Sequence, residues 1–230
     1  MKISVIIPVY NEEKIIAKLV EHLISSGADV VQEILVIDGG SSDETQQCAA
    51  IAGAAVHLSP QKGRAAQMHF GATLASGDVL YFVHADTMPP ASYTEDICKA
   101  INDGYTMGRY RTRFDSGKWL LKINAFITRF DLFLCMGGDQ TLFITKELYN
   151  LSGGFDTSMQ IMEEFEFCRR ARKTGKYKIL KKEVLISARK YDANSWWQVQ
   201  RANYSVVKMY KKGAAQEAMV KKYKEMLRYR

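Results

Sequence analysis

The sequence predicts an α/β fold in which a doubly wound, mostly parallel sheet is flanked by helices and followed by C-terminal helices. Short apolar runs alternate with segments of helical period through the first hundred residues. Continuous apolar runs are typical of strands that are buried on both faces of a parallel sheet. Because parallel strands need crossover connections, the strand–helix alternation favours a parallel sheet with helices on both faces.

The first half of the chain supplies four predicted strands and four predicted helices. Pro8 ends the first strand, and Gly27 and Gly77 end two of the helices. Ser41 or Ser42 is placed to cap the second helix. The predicted strands are residues 3–7, 34–37, 54–58 and 79–83, and the predicted helices are residues 12–26, 44–52, 63–76 and 92–103.

The second half of the chain is less regular. Its first segment alternates as a strand does, which puts Arg109, Arg111 and Arg113 on one face. An aromatic and aliphatic segment then predicts an amphipathic helix. The predicted strands are residues 106–115 and 141–145, and the predicted helices are residues 118–134, 146–151, 163–173, 195–212 and 214–229.

The bulk composition is that of a globular protein with one domain over residues 1–230. Hydrophobic residues make up 47% and charged residues 25%, and no repeat or linker divides the chain. No apolar run approaches the ~18 residues of a transmembrane helix, and the first strand begins too early for a signal peptide. The cysteines match no metal spacing and predict reduced thiols in a cytoplasmic protein. They are Cys48, Cys98, Cys135 and Cys168.

The net charge of +7 hides an asymmetry along the chain. Residues 169–230 hold 19 Lys and Arg against 4 Asp and Glu, whereas the preceding residues hold 13 against 21. A basic tail fits an anionic lipid surface, a phosphorylated substrate or a solvated helix face, and we expect no nucleic acid partner. Self-association through the same face is the competing interpretation of the two last helices. Their apolar residues are Met209, Tyr210, Met219 and Tyr223.

The stretch Val83-His84-Ala85-Asp86 places a carboxylate directly after the fourth predicted strand. In open α/β sheets, ligands bind beyond the carboxyl ends of the strands. A carboxylate there suits a divalent cation that neutralises diphosphate oxygens. The alternative is a helix cap or a turn Asp before Pro89-Pro90.

Polar clusters also follow the first and second predicted strands. They are Pro8-Val9-Tyr10-Asn11-Glu12 and Asp38-Gly39-Gly40-Ser41-Ser42-Asp43. Glycines let a ligand approach the backbone, and carboxylates accept hydrogen bonds from a base and from ribose hydroxyls. Neither Gly-x-Gly-x-x-Gly nor the P-loop motif is present. The clusters therefore predict a nucleotide pocket of another kind at this sheet edge.

These clusters, in this order, resemble the successive signatures of family 2 glycosyltransferases, which have the GT-A fold and use nucleotide-diphosphate sugars. Each motif is weak alone, but their common order makes the resemblance specific. It continues through Lys62-Gly63-Arg64-Ala65-Ala66-Gln67-Met68, Gly137-Gly138-Asp139-Gln140, Gly153-Gly154-Phe155 and Met162-Glu163-Glu164.

The resemblance implies a role for each matching residue. Glu164 would be the catalytic base, in a carboxylate pair with Glu163, and Asp86 would bind Mn²⁺ or Mg²⁺ through the donor diphosphate. Asp38 would hold the nucleobase of a UDP- or GDP-sugar. Pro8, Tyr10, Glu12 and Gly39 would lie beside the base and ribose, Arg64 and Arg189 near the diphosphate, and Gly138 and Asp139 on the acceptor side.

Two positions depart from the family pattern. His84 stands where the first Asp of Asp-x-Asp is expected, and it either ligates the metal or packs as a hydrogen-bonded histidine. Glu164 replaces an Asp, which lengthens the base by one methylene. The Glu-rich segment also fits a helical first turn that is favoured by the helix dipole.

The sequence therefore predicts a metal-dependent, inverting glycosyltransferase that transfers a single sugar to an acceptor hydroxyl. The acceptor is unknown, and a lipid-linked acceptor is one of the options. A sugar-1-phosphate nucleotidyltransferase and a non-catalytic nucleotide-sugar or polyanion binder are the alternatives. Peripheral membrane contact through the basic C-terminal helices is a further expectation. Trp196 and Trp197, with Tyr204 and Tyr210, are interpreted as helix-packing residues rather than a sugar platform.

Overall fold

The computed structural model describes residues 1–131 and 140–228. Within them, eight strands form one sheet in the order β3-β2-β1-β4-β7-β6-β8-β5. The strands are β1 (Ile3–Val9), β2 (Val31–Asp38), β3 (Ala55–Leu58), β4 (Val79–Phe82), β5 (Thr87–Met88), β6 (Met107–Phe114), β7 (Leu142–Thr145) and β8 (Tyr177–Ile186).

The described helices lie on both faces of this sheet and at the C-terminus. They are α1 (Ile16–Gly27), α2 (Thr45–Ile51), α3 (Arg64–Leu74), α4 (Tyr93–Asn102), α5 (Trp119–Ile127), α6 (Lys146–Leu151), α7 (Glu163–Ala171), α8 (Lys190–Ala193), α9 (Trp196–Lys211) and α10 (Gln216–Met226). No helix among the described residues combines the length and the hydrophobicity that crossing a bilayer requires.

Strands β1 to β4 are parallel to one another, as predicted. β1 lies between β2 and β4, and β2 pairs with β3. The prediction that Pro8 ends the first strand is wrong: β1 continues to Val9, and Pro8 lies opposite Ile37. β1 is buried along its whole length, because alternate side chains enter the two cores on opposite faces of the sheet.

The second half adds a mixed part to the same sheet. β7 is antiparallel to both β4 and β6, β8 runs parallel to β6, and the short β5 is antiparallel to β8. Strands β5 and β8 were not predicted, because charged residues interrupt the apolar pattern of β8. On β6 the three predicted arginines differ in depth: Arg109 is buried, Arg111 half-buried and Arg113 exposed.

Helix ends differ from the prediction in two instructive places. α1 begins at Ile16, because residues 12–15 form a turn in which Glu12 O accepts hydrogen bonds from two following amides. α2 has no side-chain cap, and Ser41 bonds to Asp38 instead. The predicted helix 118–134 is observed as α5, and its last three residues lie outside the described ranges.

The apolar residues of the two C-terminal helices are largely covered. Met219 is buried, and Met209, Tyr210 and Tyr223 pack against the same small core as Met159. The other buried residues of that core are Met162, Phe165, Val206 and Val207. The helices therefore use these residues to pack on each other and on the segment before α7, which leaves their lysines outside.

Candidate active site

The loops after β1 and β2 interlock at the carboxyl edge of the sheet. Asn11 has a left-handed backbone with a φ of 55°, and its side-chain Oδ1 accepts a hydrogen bond from Ser42 N at 2.9 Å. Asn11 N donates to Ser41 Oγ, and Glu12 N donates to Thr45 Oγ1, both at 2.8 Å. These bonds give the two loops one fixed shape beside each other.

Asp38 shapes its own loop. Its side chain is fully buried, and its carboxylate accepts hydrogen bonds from Gly40 N, Ser41 N, Ser41 Oγ and Gln46 Nε2. Four donors occupy the usual acceptor capacity of a carboxylate. The nucleobase contact that the resemblance implies for Asp38 stays a prediction, and it requires one of these donors to be displaced.

Gln67 holds the strand ends at the site edge together, and the sequence analysis gave it no role. Its Nε2 donates to Val9 O at 2.8 Å and to Ile37 O at 2.7 Å, so it ties α3 to the ends of β1 and β2. A Cβ at Gly39 would lie 3.2 Å from this amide, so a glycine there leaves room for it. The sequence signals were a polar residue inside an Ala-rich helical segment and its place in the Lys62–Met68 motif of the resemblance.

A group of three charges joins the ends of β1 and β4 to the segment after β8. Both guanidinium nitrogens of Arg189 pair with the carboxylate of Glu12, with Nη1 to Oε2 at 2.6 Å. The same guanidinium lies 3.6 Å from Asp86 Oδ2. The structure thus brings together two predicted donor-side residues and the predicted metal ligand, from positions up to 177 residues apart.

A second group contains the predicted base. His84 Nε2 lies 3.0 Å from Glu164 Oε1, with the histidine 12% and the glutamate 5% exposed. Because an ionised carboxylate only accepts, His84 Nε2 carries the proton of this hydrogen bond. Next to it, Arg64 Nε lies 3.3 Å from Glu163 Oε1. The first residues of α3 and α7 therefore meet the end of β4.

The carboxylate of Glu164 changes the proton affinity of His84. Burial is the largest single effect and lowers the pKa of His84, but the charge and hydrogen bond of Glu164, helped by Asp86, outweigh it. The net pKa of His84 is raised above its ordinary value. The imidazole consequently acts as a hydrogen-bond donor that orients Glu164, which favours the interpretation of His84 as a packed histidine.

The residues present give a divalent cation few protein ligands. Among the described residues, no three His, Cys, Asp or Glu side chains are grouped as a metal site. His84 Nε2 is engaged with Glu164, so Asp86 is the predicted ligand that remains at the edge. Mg²⁺ is commonly held by one or two carboxylates together with substrate phosphates and water. The site therefore fits a cation that arrives with a diphosphate, and not a cage built by the protein alone.

The remaining predicted residues lie in different surroundings. Pro8 is buried in β1, so only its backbone is available to a ligand at the sheet edge. Tyr10 follows the end of β1 and is 60% exposed. Gly39 N donates to Val9 O at 2.9 Å and continues the contact between the two loops. Gly138 and Asp139 lie outside the described residues.

Several solved structures share this architecture, among them complexes with nucleotide sugars. A glucosyl-3-phosphoglycerate synthase from Mycobacterium tuberculosis, in complex with Mn²⁺, UDP-glucose and phosphoglyceric acid, superposes with a TM-score of 0.68 at 16% identity. That match covers 93% of this chain and 80% of the other. S. aureus TarS in complex with UDP-GlcNAc gives a TM-score of 0.66 at 19% identity over 81% of this chain and 58% of that one. The predicted α/β fold of GT-A type is confirmed.

Curated relatives are similar in part of their length. An undecaprenyl-phosphate 4-deoxy-4-formamido-L-arabinose transferase from Proteus mirabilis is 30% identical over 142 residues, which is 56% of this chain and 44% of that protein. A glucosyl-3-phosphoglycerate synthase from Mycolicibacterium smegmatis is 32% identical over 96 residues, 38% of this chain and 32% of that one. The chain thus spans less than half the length of these relatives. The model of the family described as glycosyl transferase family 2 matches residues 4–162, and this chain therefore belongs to that family.

Proposed function

We propose that this chain transfers a sugar from a nucleotide-diphosphate sugar to an acceptor hydroxyl with inversion at the anomeric carbon, and that Glu164 is the general base. The observation that carries the proposal is the buried Glu164 carboxylate at the start of α7, oriented by His84 from the end of β4. Asp86, two residues after His84, lies 3.6 Å from Arg189 at the same sheet edge. The family membership supports the reaction class.

The donor nucleotide would lie over the ends of β1 and β2. Tyr10 offers an exposed ring for a base, and the backbone between Pro8 and Tyr10, together with Glu12 and Asp38, offers acceptors for base and ribose. Solved structures of this fold hold UDP-GlcNAc, UDP-glucose or GDP-mannose. A UDP- or GDP-sugar is therefore the donor class that we propose here.

The chemistry requires one proton transfer and one displacement. The acceptor hydroxyl gives its proton to Glu164 while its oxygen bonds to the anomeric carbon, and the bond from that carbon to the diphosphate oxygen breaks with its electron pair. Attack from the face opposite the leaving group inverts the configuration. Arg64 and Arg189 place positive charge where the diphosphate gains negative charge.

A divalent cation belongs to this proposal as a partner of the diphosphate. Neighbours of this fold are complexes with Mg²⁺ and UDP, with Mn²⁺ and UDP-glucose, or with Mn²⁺ and GDP-mannose. Asp86 would hold the cation here. His84 would not ligate it while its Nε2 is bonded to Glu164. When bound, Mn²⁺ or Mg²⁺ would supply electrostatic stabilisation of the leaving diphosphate.

The acceptor side is proposed as a region of the chain, and not residue by residue. We propose that residues 1–105 bind the donor and that the rest of a single domain, including Gly138 and Asp139, forms the acceptor side. The name of one relative contains undecaprenyl phosphate, a lipid, and that of another contains 3-phosphoglycerate, which has a hydroxyl group. We propose an acceptor that presents a hydroxyl to Glu164, in one version on a lipid-linked molecule. The free thiols Cys48, Cys98 and Cys168 fit action in the reducing cytoplasm.

A thermal-shift screen tests the donor assignment. The protein is heated with UDP-, GDP- or dTDP-sugars, each with and without Mn²⁺. A ligand whose free concentration is one hundred times its Kd stabilises the native state by about 2.7 kcal/mol. A true donor should therefore raise the Tm by several degrees. The shift should require Mn²⁺ in the wild type and be lost in Asp86→Asn.

Other outcomes would favour the alternatives. Release of pyrophosphate from a nucleoside triphosphate and a sugar-1-phosphate would indicate a nucleotidyltransferase. Binding of polyanions that falls steeply with salt, without any response to nucleotide sugars, would indicate a binding protein and contradict the proposal.

A further inference from the structure

Helix α5 exposes its apolar side to solvent, which is the reverse of what a surface helix normally does. Its buried side carries Leu121 and, just beyond the helix end, Thr128. The opposite side carries large apolar residues, of which Trp119 is 67% and Phe126 54% exposed. We name this surface the aromatic patch, and it consists of Trp119, Ile123, Phe126, Ile127, Phe130 and, from α9, Trp197.

The orientation of α5 is fixed by buried hydrogen bonds. The guanidinium of Arg109 donates to Thr128 O at 2.8 Å and to Phe130 O at 3.2 Å, just after the helix. Thr112 N donates to Thr128 Oγ1 at 3.0 Å. Arg109 and Thr112 on β6 therefore fix the C-terminal end of the helix. Because these bonds are buried, the core determines which side of α5 faces solvent.

The aromatic patch continues onto the start of α9. Trp196 Nε1 donates to Asn124 Oδ1 on α5 at 3.2 Å, and Trp197 packs edge-on against Trp196 at 4.7 Å between ring centroids. Trp197 is itself 67% exposed, and Tyr204, two turns further along the same helix, is exposed as well. The expectation that Trp197 and Tyr204 serve helix packing is therefore wrong.

The surroundings of the aromatic patch carry a surplus of positive charge, although Asp131 and Asp192 lie at its border. Residues 116–130 and 193–216 contain seven Lys and Arg and no Asp or Glu. Lys118 lies 3.6 Å from Asp192 and Arg129 3.3 Å from Glu183, so the surplus rests on the other exposed cations of the two segments. Those cations include Lys122, Arg201, Lys208 and Lys212.

We propose that the aromatic patch docks this protein on the surface of an anionic lipid bilayer. Trp and Tyr with flanking Lys and Arg are the residues that favour the interface between headgroups and acyl chains. A second copy of the chain fits less well, because a two-fold contact would place the same cations of both copies against each other. The membrane contact expected from the apolar residues of the C-terminal helices is thereby reassigned, since those residues are covered.

The test uses the full chain and its own tryptophans, because all three tryptophans of the sequence lie in or next to the aromatic patch. Emission is recorded while phosphatidylcholine vesicles, with or without phosphatidylglycerol, are added. We expect a blue shift and co-sedimentation with the anionic vesicles only, and both should weaken at high salt. Unchanged emission with no co-sedimentation, or equal binding to neutral vesicles, would overturn the proposal.

Variants locate the surface. Trp119→Ser combined with Phe126→Ser should weaken vesicle binding more than tenfold, and Lys122→Gln about fivefold, since one basic residue near the surface contributes about that factor. Ile51→Ser is the control, because Ile51 is an exposed apolar residue on α2. Equal loss in this control, or a dimer that Trp119→Ser dissociates without any vesicle binding, would contradict a membrane surface. Vesicle binding needs no nucleotide sugar, so its result is independent of the proposed activity.

Discussion

The two charged groups at the sheet edge differ in depth, and the difference separates a fixed group from a movable one. His84 and Glu164 are both almost completely buried. In the other group the carboxylates of Glu12 and Asp86 are 15% and 23% exposed, and only the Arg189 side chain, at 49%, lies largely in solvent. Breaking a buried pair leaves a desolvated charge and is costly, but exposed ion pairs contribute only ~0–1 kcal/mol. In the proposed function, Arg189 would exchange Glu12 for the donor diphosphate, while Glu164 would stay in one position.

The largest expected effect comes from removing the charge of the fixed group. Glu164→Gln should lower turnover by about a thousandfold, because general base catalysis contributes ~10²–10⁴. Donor binding by thermal shift should persist. Glu166→Gln is the matched control, since Glu166 lies on the same helix and pairs with Arg170 instead. Full activity of Glu164→Gln would show that this carboxylate is not the base.

The second effect concerns stability. His84→Leu should lower the free energy of unfolding by about 2 kcal/mol, because a buried hydrogen bond to a charged group is lost and Glu164 keeps its desolvation cost. The measurement is urea unfolding followed by circular dichroism. The control is His57→Leu on the edge strand β3, where His57 is half-buried. A cost as small as that of the control would remove the basis for calling this group fixed.

The movable group should behave in the opposite way. Arg189→Ala should change the free energy of unfolding by less than ~1 kcal/mol, because the exposed pair contributes little. Its affinity for the nucleotide sugar, measured by calorimetry, should fall about tenfold with the loss of a charge-assisted contact to phosphate. Arg169→Ala, an exposed arginine on α7, serves as the control. If Arg189→Ala unfolds easily but binds donor normally, its role is structural.

The smallest effect is a difference in salt dependence between the two groups. A double-mutant cycle on Arg189 and Glu12 should give a coupling of about 0.5 kcal/mol that approaches zero at high salt, because exposed charges are screened. A cycle on His84 and Glu164 should give a larger coupling that salt leaves nearly unchanged. Equal screening of both couplings would contradict the assigned depths.

Sequence reasoning was most successful where local patterns dominate. The apolar runs of β1, β2 and β4 located three parallel strands, and the polar clusters after them do meet at one edge. It failed for β8, whose alternation is broken by Lys181, Lys182 and Glu183. This strand is stabilised by its neighbours β6 and β5, and its own residue pattern does not reveal that pairing.

The sequence by itself determined which residues lie at the ends of the first strands, because strand period and parallel connection are local properties. Tertiary structure alone decided what those residues contact. The pairing of β7 with β4 and the insertion of β8 bring His84 to Glu164, 80 residues away, and Glu12 to Arg189, 177 residues away. The outward side of α5 was decided in the same way, since apolar residues lie on more than one side of this helix and its sequence does not encode which of them the core covers.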